Sequence, residues 1–402
     1  MMDFFGLCFG CRWSLVCLAL LSFSSCRFDA QDDGNAGEGS AACDAFLKTE
    51  VPLAMQQATR LQAWQGHGYV RLLILATDSA ATEASGFRYL LVDSTANLGA
   101  DCFPDHVRVS VPLTRAVCVS TTHAAIFARL DRREVLVGMS WLENLYDPEL
   151  RRSAAAGHLR EVSREGDLNL EVILDLEPGL VLTYLTADPE YGDFDKMRKL
   201  GVPVLPVAEF MEPHPLGQAE WIRLGGWLLG KQRTADSLFG AVRQDYLQAR
   251  ERAMAVAQKP TVFTGMDYQG SWTVPRGGSF AAVYLKDAGA RYVFEDVPGA
   301  GNYAVDFEAV LERAGSADFW LHPGAARSRR AMAEFDPRLR HFEAWKQGRV
   351  YNNDARLSPG GGNDYWESAI LRPDLVLADL IAVFHPELSA SHPLVYYRLL
   401  PE

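Results

Sequence analysis

The sequence predicts an α/β protein of two lobes with mostly parallel sheets, joined by a long α-helix and preceded by a small N-terminal β element. Two observations carry this expectation. Short apolar strand-like runs alternate with helical patterns over residues 111–217 and again over 259–402, and such alternation implies parallel pairing with both sheet faces covered. Between these stretches, residues 218–258 keep an almost unbroken helical pattern of Ala, Leu, Trp, Arg and Gln. It is interrupted around Gly225-Gly226 and Gly230, and no strand fits there.

At the amino end, Trp13 to Phe23 follow Arg12 and form an apolar stretch too short to span a bilayer but suited to a signal-peptide core. Ser24-Ser25-Cys26 closes it. Small residues before a cysteine are the pattern of a bacterial lipoprotein signal over 1–26, which predicts acylation of Cys26. Phe23 stands where leucine is usual and the segment before Arg12 carries little positive charge, so an uncleaved anchor is the alternative. Residues 27–42, rich in Gly, Ala, Asp and Ser, read as a flexible tether. No later apolar run is long enough to cross a membrane, which predicts an exported protein, lipid-anchored and facing the periplasm or the cell exterior.

The 402 − 26 = 376 residues beyond Cys26 suffice for two full cores. The net charge of −12 argues against nucleic acid as a partner. Cys43, Cys102 and Cys118 show neither a CxxC nor metal-ligand spacing. Cys118 lies in an apolar run and reads as a buried thiol, and a Cys43–Cys102 bridge is permitted by the exported compartment.

Residues 43–110 form the β-containing extension, with strands predicted over 69–76 and 87–92. In the first lobe the pattern predicts strands over 116–120, 135–138, 180–184 and 202–207, and helices over 124–130, from Asn169, and over 194–200. In the second it predicts a strand over 261–263, a loop over 265–278, a helix over 279–288 and a strand over 292–294. A helix from Asp306, an apolar Phe319-Trp320-Leu321 and a helix over 364–384 complete that lobe. The lobes share one short design, Leu168-Asn169-Leu170-Glu171 and Val305-Asp306-Phe307-Glu308. Asn169 and Asp306 are natural N-caps, and Glu171 and Glu308 fall in the first turn, where a carboxylate suits the helix dipole. One such acid per lobe suggests docking onto a symmetric basic partner; complementing the dipole is the alternative.

Ligands of open α/β folds sit beyond the carboxyl ends of strands, so loops following strands should line a cleft between the lobes. The first lobe supplies Ser120, Thr121, Thr122, His123, Trp141 and Tyr184. The second supplies Met266, Tyr268, Trp272, Arg276, Tyr303 and residues 356–366, including Trp366. Aromatic faces stack on ring-rich ligands and arginine pairs with anions. Trp141 and Trp366 flank helices and have core packing as the alternative. Tyr268, Trp272 and Arg276 lie among Gly265, Gly270, Gly277 and Gly278, in the predicted loop, where binding groups concentrate. Glu209, after a strand, meets a ligand hydroxyl or cation, or caps a turn. The Ser358 to Gly362 turn approaches the ligand, or only starts a helix. His123, His214 and His322 are candidate iron ligands without metal-ligand spacing.

In the order of its motifs the chain resembles the periplasmic substrate-binding proteins of ABC importers for iron–siderophores, haem and vitamin B12, over roughly residues 110 to 388. The resemblance rests on Arg115-Ala-Val-Cys-Val-Ser-Thr-Thr, on the Asn169 to Val181 run, on Asp306-Phe-Glu-Ala-Val, and on Arg372-Pro-Asp-Leu-Val with His385-Pro-Glu-Leu. Glu209 and the Pro215 to Trp221 region add a likeness to the lipoprotein versions of Bacteroides-type bacteria. It implies that Glu171 and Glu308 meet arginines of an ABC permease dimer, which works with a separate ATPase. Gly179 departs from the usual aspartate. The implied cargo is an iron compound, a ferric siderophore or haem, with cobalamin as the alternative. No resident cofactor is implied; any iron or cobalt belongs to the cargo. An exported hydrolase is the rival class, but no G-x-S-x-G elbow, H-E-x-x-H or phosphate-binding loop is present. A scavenger or sensor without a permease is a third.

Overall fold

Apolar alternation in the N-terminal extension folds as expected into a sheet. Strands β1 (Val51–Pro52), β2 (Leu61–Gly66), β3 (Tyr69–Leu75), β4 (Gly86–Val92) and β5 (Val107–Ser110) lie in that spatial order. All pairs are antiparallel except β4–β5. These coordinates are a computed structural model describing residues 47–75, 86–96, 98–99, 102–164, 167–184, 192–389 and 391–402. Cys26, the tether and Cys43 lie outside the described residues. Cys102 is disulfide-bonded, and Cys118 is a free, buried thiol.

The first lobe is a parallel sheet of β6 (Ala116–Cys118), β7 (Leu136–Ser140), β8 (Arg160–Ser163), β9 (Leu180–Tyr184) and β10 (Val204–Val207), in the order β10-β9-β6-β7-β8. Its side chains alternate between faces, as strand geometry requires. Ala116, Cys118, Leu180 and Leu182 enter one core, whereas Val117 and Val181 enter a smaller one with Ile173 and Val204. The larger core also takes in Leu61, Leu72, Ile74, Tyr89 and Val109, so the extension and the first lobe share one apolar interior.

The second lobe is built on β11 (Thr261–Thr264), β14 (Arg291–Tyr292), β16 (Phe319–Leu321), β17 (Val350–Asn352) and β18 (Arg398–Leu399), ordered β14-β11-β16-β17-β18. The pairing is parallel except for β17–β18. The predicted loop over 265–278 is instead a hairpin. Strands β12 (Asp267–Tyr268) and β13 (Ser271–Pro275) join β15 (Asn302–Val305) in a small antiparallel sheet. The glycines disguised a period-2 pattern that turns Trp272 and Val274 inwards.

The predicted linking helix begins later than expected. Two short helices, Pro215–Glu220 and Ile222–Leu228, come before the 23-residue helix Gln232–Met254. Gly230, at φ 65°, makes the break. Gly225 is helical, and a Cβ there would stand 2.1 Å from Ile126, so glycine serves close packing. Ala235 and Phe239 of the long helix enter the first-lobe core, and Tyr246, Ala249 and Ala253 enter the second. One rigid rod is thus anchored in both lobes. The predicted helix over 364–384 is also shorter: 3-10 turns Asp364–Trp366 and Ser368–Leu371 precede helix Pro373–Phe384, whose proline occupies the first turn. Among the described residues no helix is long and apolar enough to cross a membrane.

Candidate functional site

A cavity of about 810 Å³ lies between the lobes. Phe210 and Met211 reach it from the 3-10 turn after β10, and Arg60 reaches it from the N-terminal sheet unit. The opposite wall carries Phe280, His322, Arg327, Asn352, Asp354 and Trp366. Phe210 is 45 % exposed and Trp366 56 % exposed, so each side offers the cavity an aromatic surface that the fold leaves uncovered. Asp354 accepts from Arg327 Nη1 at 3.0 Å and from Arg398 Nη2 at 2.8 Å. Arg327 and Asp354 line the cavity, whereas Arg398 reaches the same carboxylate from outside the lining.

His322 follows β16 in the left-handed region, at φ 57°, a backbone state that non-glycine residues adopt mostly where local structure holds them. Its Nε2 lies 2.7 Å from Tyr397 Oη, and burial lowers the imidazole to about 4, so the ring is neutral at physiological pH. Of the candidate iron-binding histidines, His322 is the one that lines the cavity. His123 is buried inside the first lobe, and His214 caps helix Pro215–Glu220 by accepting the Leu216 N–H. The described residues contain no group of three or more His, Cys, Asp or Glu placed to hold a metal ion.

Of the predicted ligand residues, the cavity wall takes in Trp366. Thr121 does not line it but donates to the Trp366 carbonyl at 2.7 Å, bridging the lobes. Thr122 Oγ1 donates to Glu209 at 2.7 Å. Glu209 is buried beneath the turn that presents Phe210, and burial raises its carboxyl to about 7. Trp141 and Tyr184 are solvent-exposed away from the cavity lining, and Tyr268 is 69 % exposed on the β12–β13 hairpin. Arg276 lies 5.0 Å over the Tyr303 ring and donates to the Pro298 carbonyl, outside the cavity lining. Trp272 must be corrected. It is fully buried, donates to the Thr264 carbonyl at 2.9 Å and packs with Trp320 and Phe342 in the second-lobe core.

The Ser358 to Gly362 turn packs against the other lobe. A Cβ on Gly362 would stand 2.3 Å from the Asn144 carbonyl oxygen, and one on Gly360 3.0 Å from that of Glu143. Beside it, the buried Glu367 carboxylate accepts the Tyr146 and Asp147 N–H groups at 2.6 and 2.8 Å. The lobes therefore meet along a polar seam that borders the cavity.

Asn352 and Asp354 lie at the carboxyl end of β17, where strand-end reasoning would have placed them had that three-residue strand been recognised. Arg60 had no local signal. Glu171 and Glu308 are exposed in the first turns of helices Leu170–Asp175 and Phe307–Ala314, with Asn169 and Asp306 as caps. Glu308 also lies 3.6 Å from Arg338.

Two α/β lobes fixed to one long helix, with a cavity between them, define a two-lobed binding protein. The chain belongs to the periplasmic binding protein family, whose model matches residues 117–357. It is a substrate-binding protein and not an enzyme. An uncharacterized lipoprotein of Methanocaldococcus jannaschii is 27 % identical over 318 residues, covering 76 % of this chain and 74 % of the relative. Among solved structures, a periplasmic heme-binding protein of Pseudomonas aeruginosa superposes with a TM-score of 0.52 at 20 % identity, over 68 % of this chain and 93 % of that one. The periplasmic vitamin B12-binding protein of Vibrio cholerae gives 0.50 at 15 %, over 70 % and 99 %. A possible iron-binding periplasmic solute-binding protein of Staphylococcus epidermidis gives 0.54 at 18 %, over 68 % and 98 %.

Proposed function

We propose that this protein captures an iron compound, a ferric siderophore or haem, in the inter-lobe cavity and delivers it to an ABC permease dimer driven by a separate ATPase. The observation that carries the reading is the cavity itself: its volume of about 810 Å³ is in the upper range of small-molecule sites, with exposed aromatics on both sides. Phe210 and Trp366 stack on the cargo's rings, and Arg327 on the cavity wall meets its anionic groups. The solved neighbours include a heme-binding protein, a vitamin B12-binding protein and one described as a possible iron-binding protein, which supports this range of cargo. Cobalamin is the second reading.

Delivery uses Glu171 and Glu308 as one docking acid per lobe, at a separation kept by the linking helix and the polar seam. The family and the lipoprotein relatives support an exported chain anchored through Cys26, which raises its effective concentration at the permease. The absorption spectrum of protein purified from its native cell tests the cargo, because haem, ferric chelates and cobalamin absorb differently. A haem or ferric-chelate band is expected. A cobalamin spectrum would move the assignment to the second reading. Preparations that are colourless and take up none of the three in titration would refute the reading.

A further inference from the structure

We infer that Thr121 and Thr122 are positioning residues: neighbouring hydroxyls of one helical turn hold the two exposed aromatic surfaces of the cavity, Trp366 and Phe210, at a set spacing and so favour cargo that carries flat rings. This rests on the reading of the inter-lobe cavity as the place where cargo binds. Neither threonine lines the cavity, so each acts through the aromatic residue that it holds.

The two threonines open helix Thr121–Arg129, which follows β6 at the middle of the first-lobe sheet. Ser120 caps this helix: its Oγ accepts the Thr122 N–H at 3.3 Å and lies 2.9 Å from Thr122 Oγ1. Ala124, Ile126 and Phe127, further along, are enclosed in the first-lobe core. A turn capped at its start and packed one turn later is a firm base. Consecutive helical side chains leave the axis about 100° apart, so the two hydroxyls reach different partners.

Thr122 Oγ1 donates to Glu209 Oε1 at 2.7 Å. Its one proton is then committed, so Ser120 donates within the Ser120–Thr122 pair. Glu209 is buried and begins the 3-10 turn Glu209–Met211, whose next residue, Phe210, lines the cavity. Without the Thr122 hydroxyl the enclosed carboxyl loses its tie to the helix, and the turn that presents Phe210 loses it too.

Thr121 Oγ1 reaches the other lobe and donates to the Trp366 carbonyl at 2.7 Å. The next residue, Glu367, accepts the Tyr146 and Asp147 N–H groups at 2.6 and 2.8 Å. Trp366 is thus carried by the second lobe while its backbone is tied to the first. The Tyr365 ring stands edge-on to its indole, with 4.9 Å between centroids. Both aromatic surfaces therefore take their places from one helical turn, across 245 positions for Trp366 and 87 for Glu209. Stacking depends on ring separation and tilt, and a surface held ready before cargo arrives loses less freedom on binding. Displacing either surface costs more for a flat-ringed cargo than for one held by polar contacts alone.

The test uses the full chain, with haemin as the ring-bearing probe and the ferric complex of a linear trihydroxamate as the ring-free one. Thr121→Val and Thr122→Val keep the side-chain shape and remove the hydroxyl. In fluorescence titration each is expected to weaken haemin about 5-fold and to leave the ring-free probe within about 2-fold, with Thr121→Ser and Thr122→Ser restoring wild-type affinity. Double-mutant cycles decide the route: in a Trp366→Ala background Thr121→Val should change haemin affinity by less than about 1.5-fold, and Thr122→Val likewise in a Phe210→Ala background. The Thr121 bond is exposed, so its valine variant keeps the fold and the Trp366 cycle stands by itself if Thr122→Val unfolds. Additive losses in either cycle, unchanged haemin affinity in the valine variants, or an equal loss for both probes overturn the inference and leave the cargo reading intact. Wild-type binding of the trihydroxamate alone overturns it as well, while the siderophore reading stands. If the wild type binds neither probe, the cargo reading falls and this inference with it.

Discussion

Trp272 and Trp366 carry the same indole into opposite surroundings, and surroundings decide what each does. Trp272 is fully enclosed by Phe263, Trp320, Phe307 and Phe342, and its N–H is satisfied by a carbonyl. Truncating such a residue removes buried apolar area and leaves a void that packed neighbours fill only in part. Trp272→Ala is therefore expected to cost about 3–5 kcal/mol in urea denaturation. Trp366→Ala should change stability by no more than about 0.5 kcal/mol, because the side chain is mostly in solvent and Thr121 bonds its backbone carbonyl, which the variant keeps. In ligand titration the order reverses: Trp366→Ala should weaken cargo binding about 10-fold, from loss of a stacking face. Unchanged affinity in that variant would remove Trp366 from the site.

At the scale of elements, the polar seam turns on Glu367. Tyr146 and Asp147 donate to it, Asp364 and Asp147 repel it, and Arg356 and Arg133 stand nearby, each paired with an aspartate. Burial, with Asp364 and Asp147 adding to it, raises its carboxyl from 4.5 to about 7. Between those values the folded protein holds a proton that the unfolded chain releases. The stabilising contribution is therefore complete below pH 4.5, declines as pH rises, and is gone above about 7. Glu367→Gln cannot titrate, so the wild-type advantage over it should shrink between pH 4.5 and 7 and stay flat outside that window. Urea midpoints across pH check this, and a constant difference would contradict it. Elements were readable from sequence wherever period and length agreed, as in β9, β11 and the caps at Asn169 and Asp306. They were hidden where strands were short or rich in neighbouring glycine, as in β17 and the β12–β13 hairpin. The cavity was hardest to read: Arg60 and Met211 meet across 151 positions, and no local pattern encodes such a contact.

At the scale of the whole molecule, the docking proposed for Glu171 and Glu308 requires that the fold preserve their spacing. Glu171 and Glu308 project from first turns in different lobes, and the helix Gln232–Met254 is anchored in both cores. Such a rod, about 35 Å long at 1.5 Å per residue, resists the wide opening that paired strand hinges allow. A rigid pair of carboxylates sets register against a two-fold partner and speeds encounter more than it adds affinity. The Glu308–Arg338 contact is no obstacle, since an exposed pair of that kind contributes about 0–1 kcal/mol. Glu171→Lys or Glu308→Lys alone should slow cargo uptake into vesicles carrying the permease, most strongly at low salt, and the double reversal should abolish it. Cargo affinity of the isolated protein should stay within about 2-fold, because neither acid lines the cavity. Full uptake by the double variant would show that the matched acids serve only their helix dipoles.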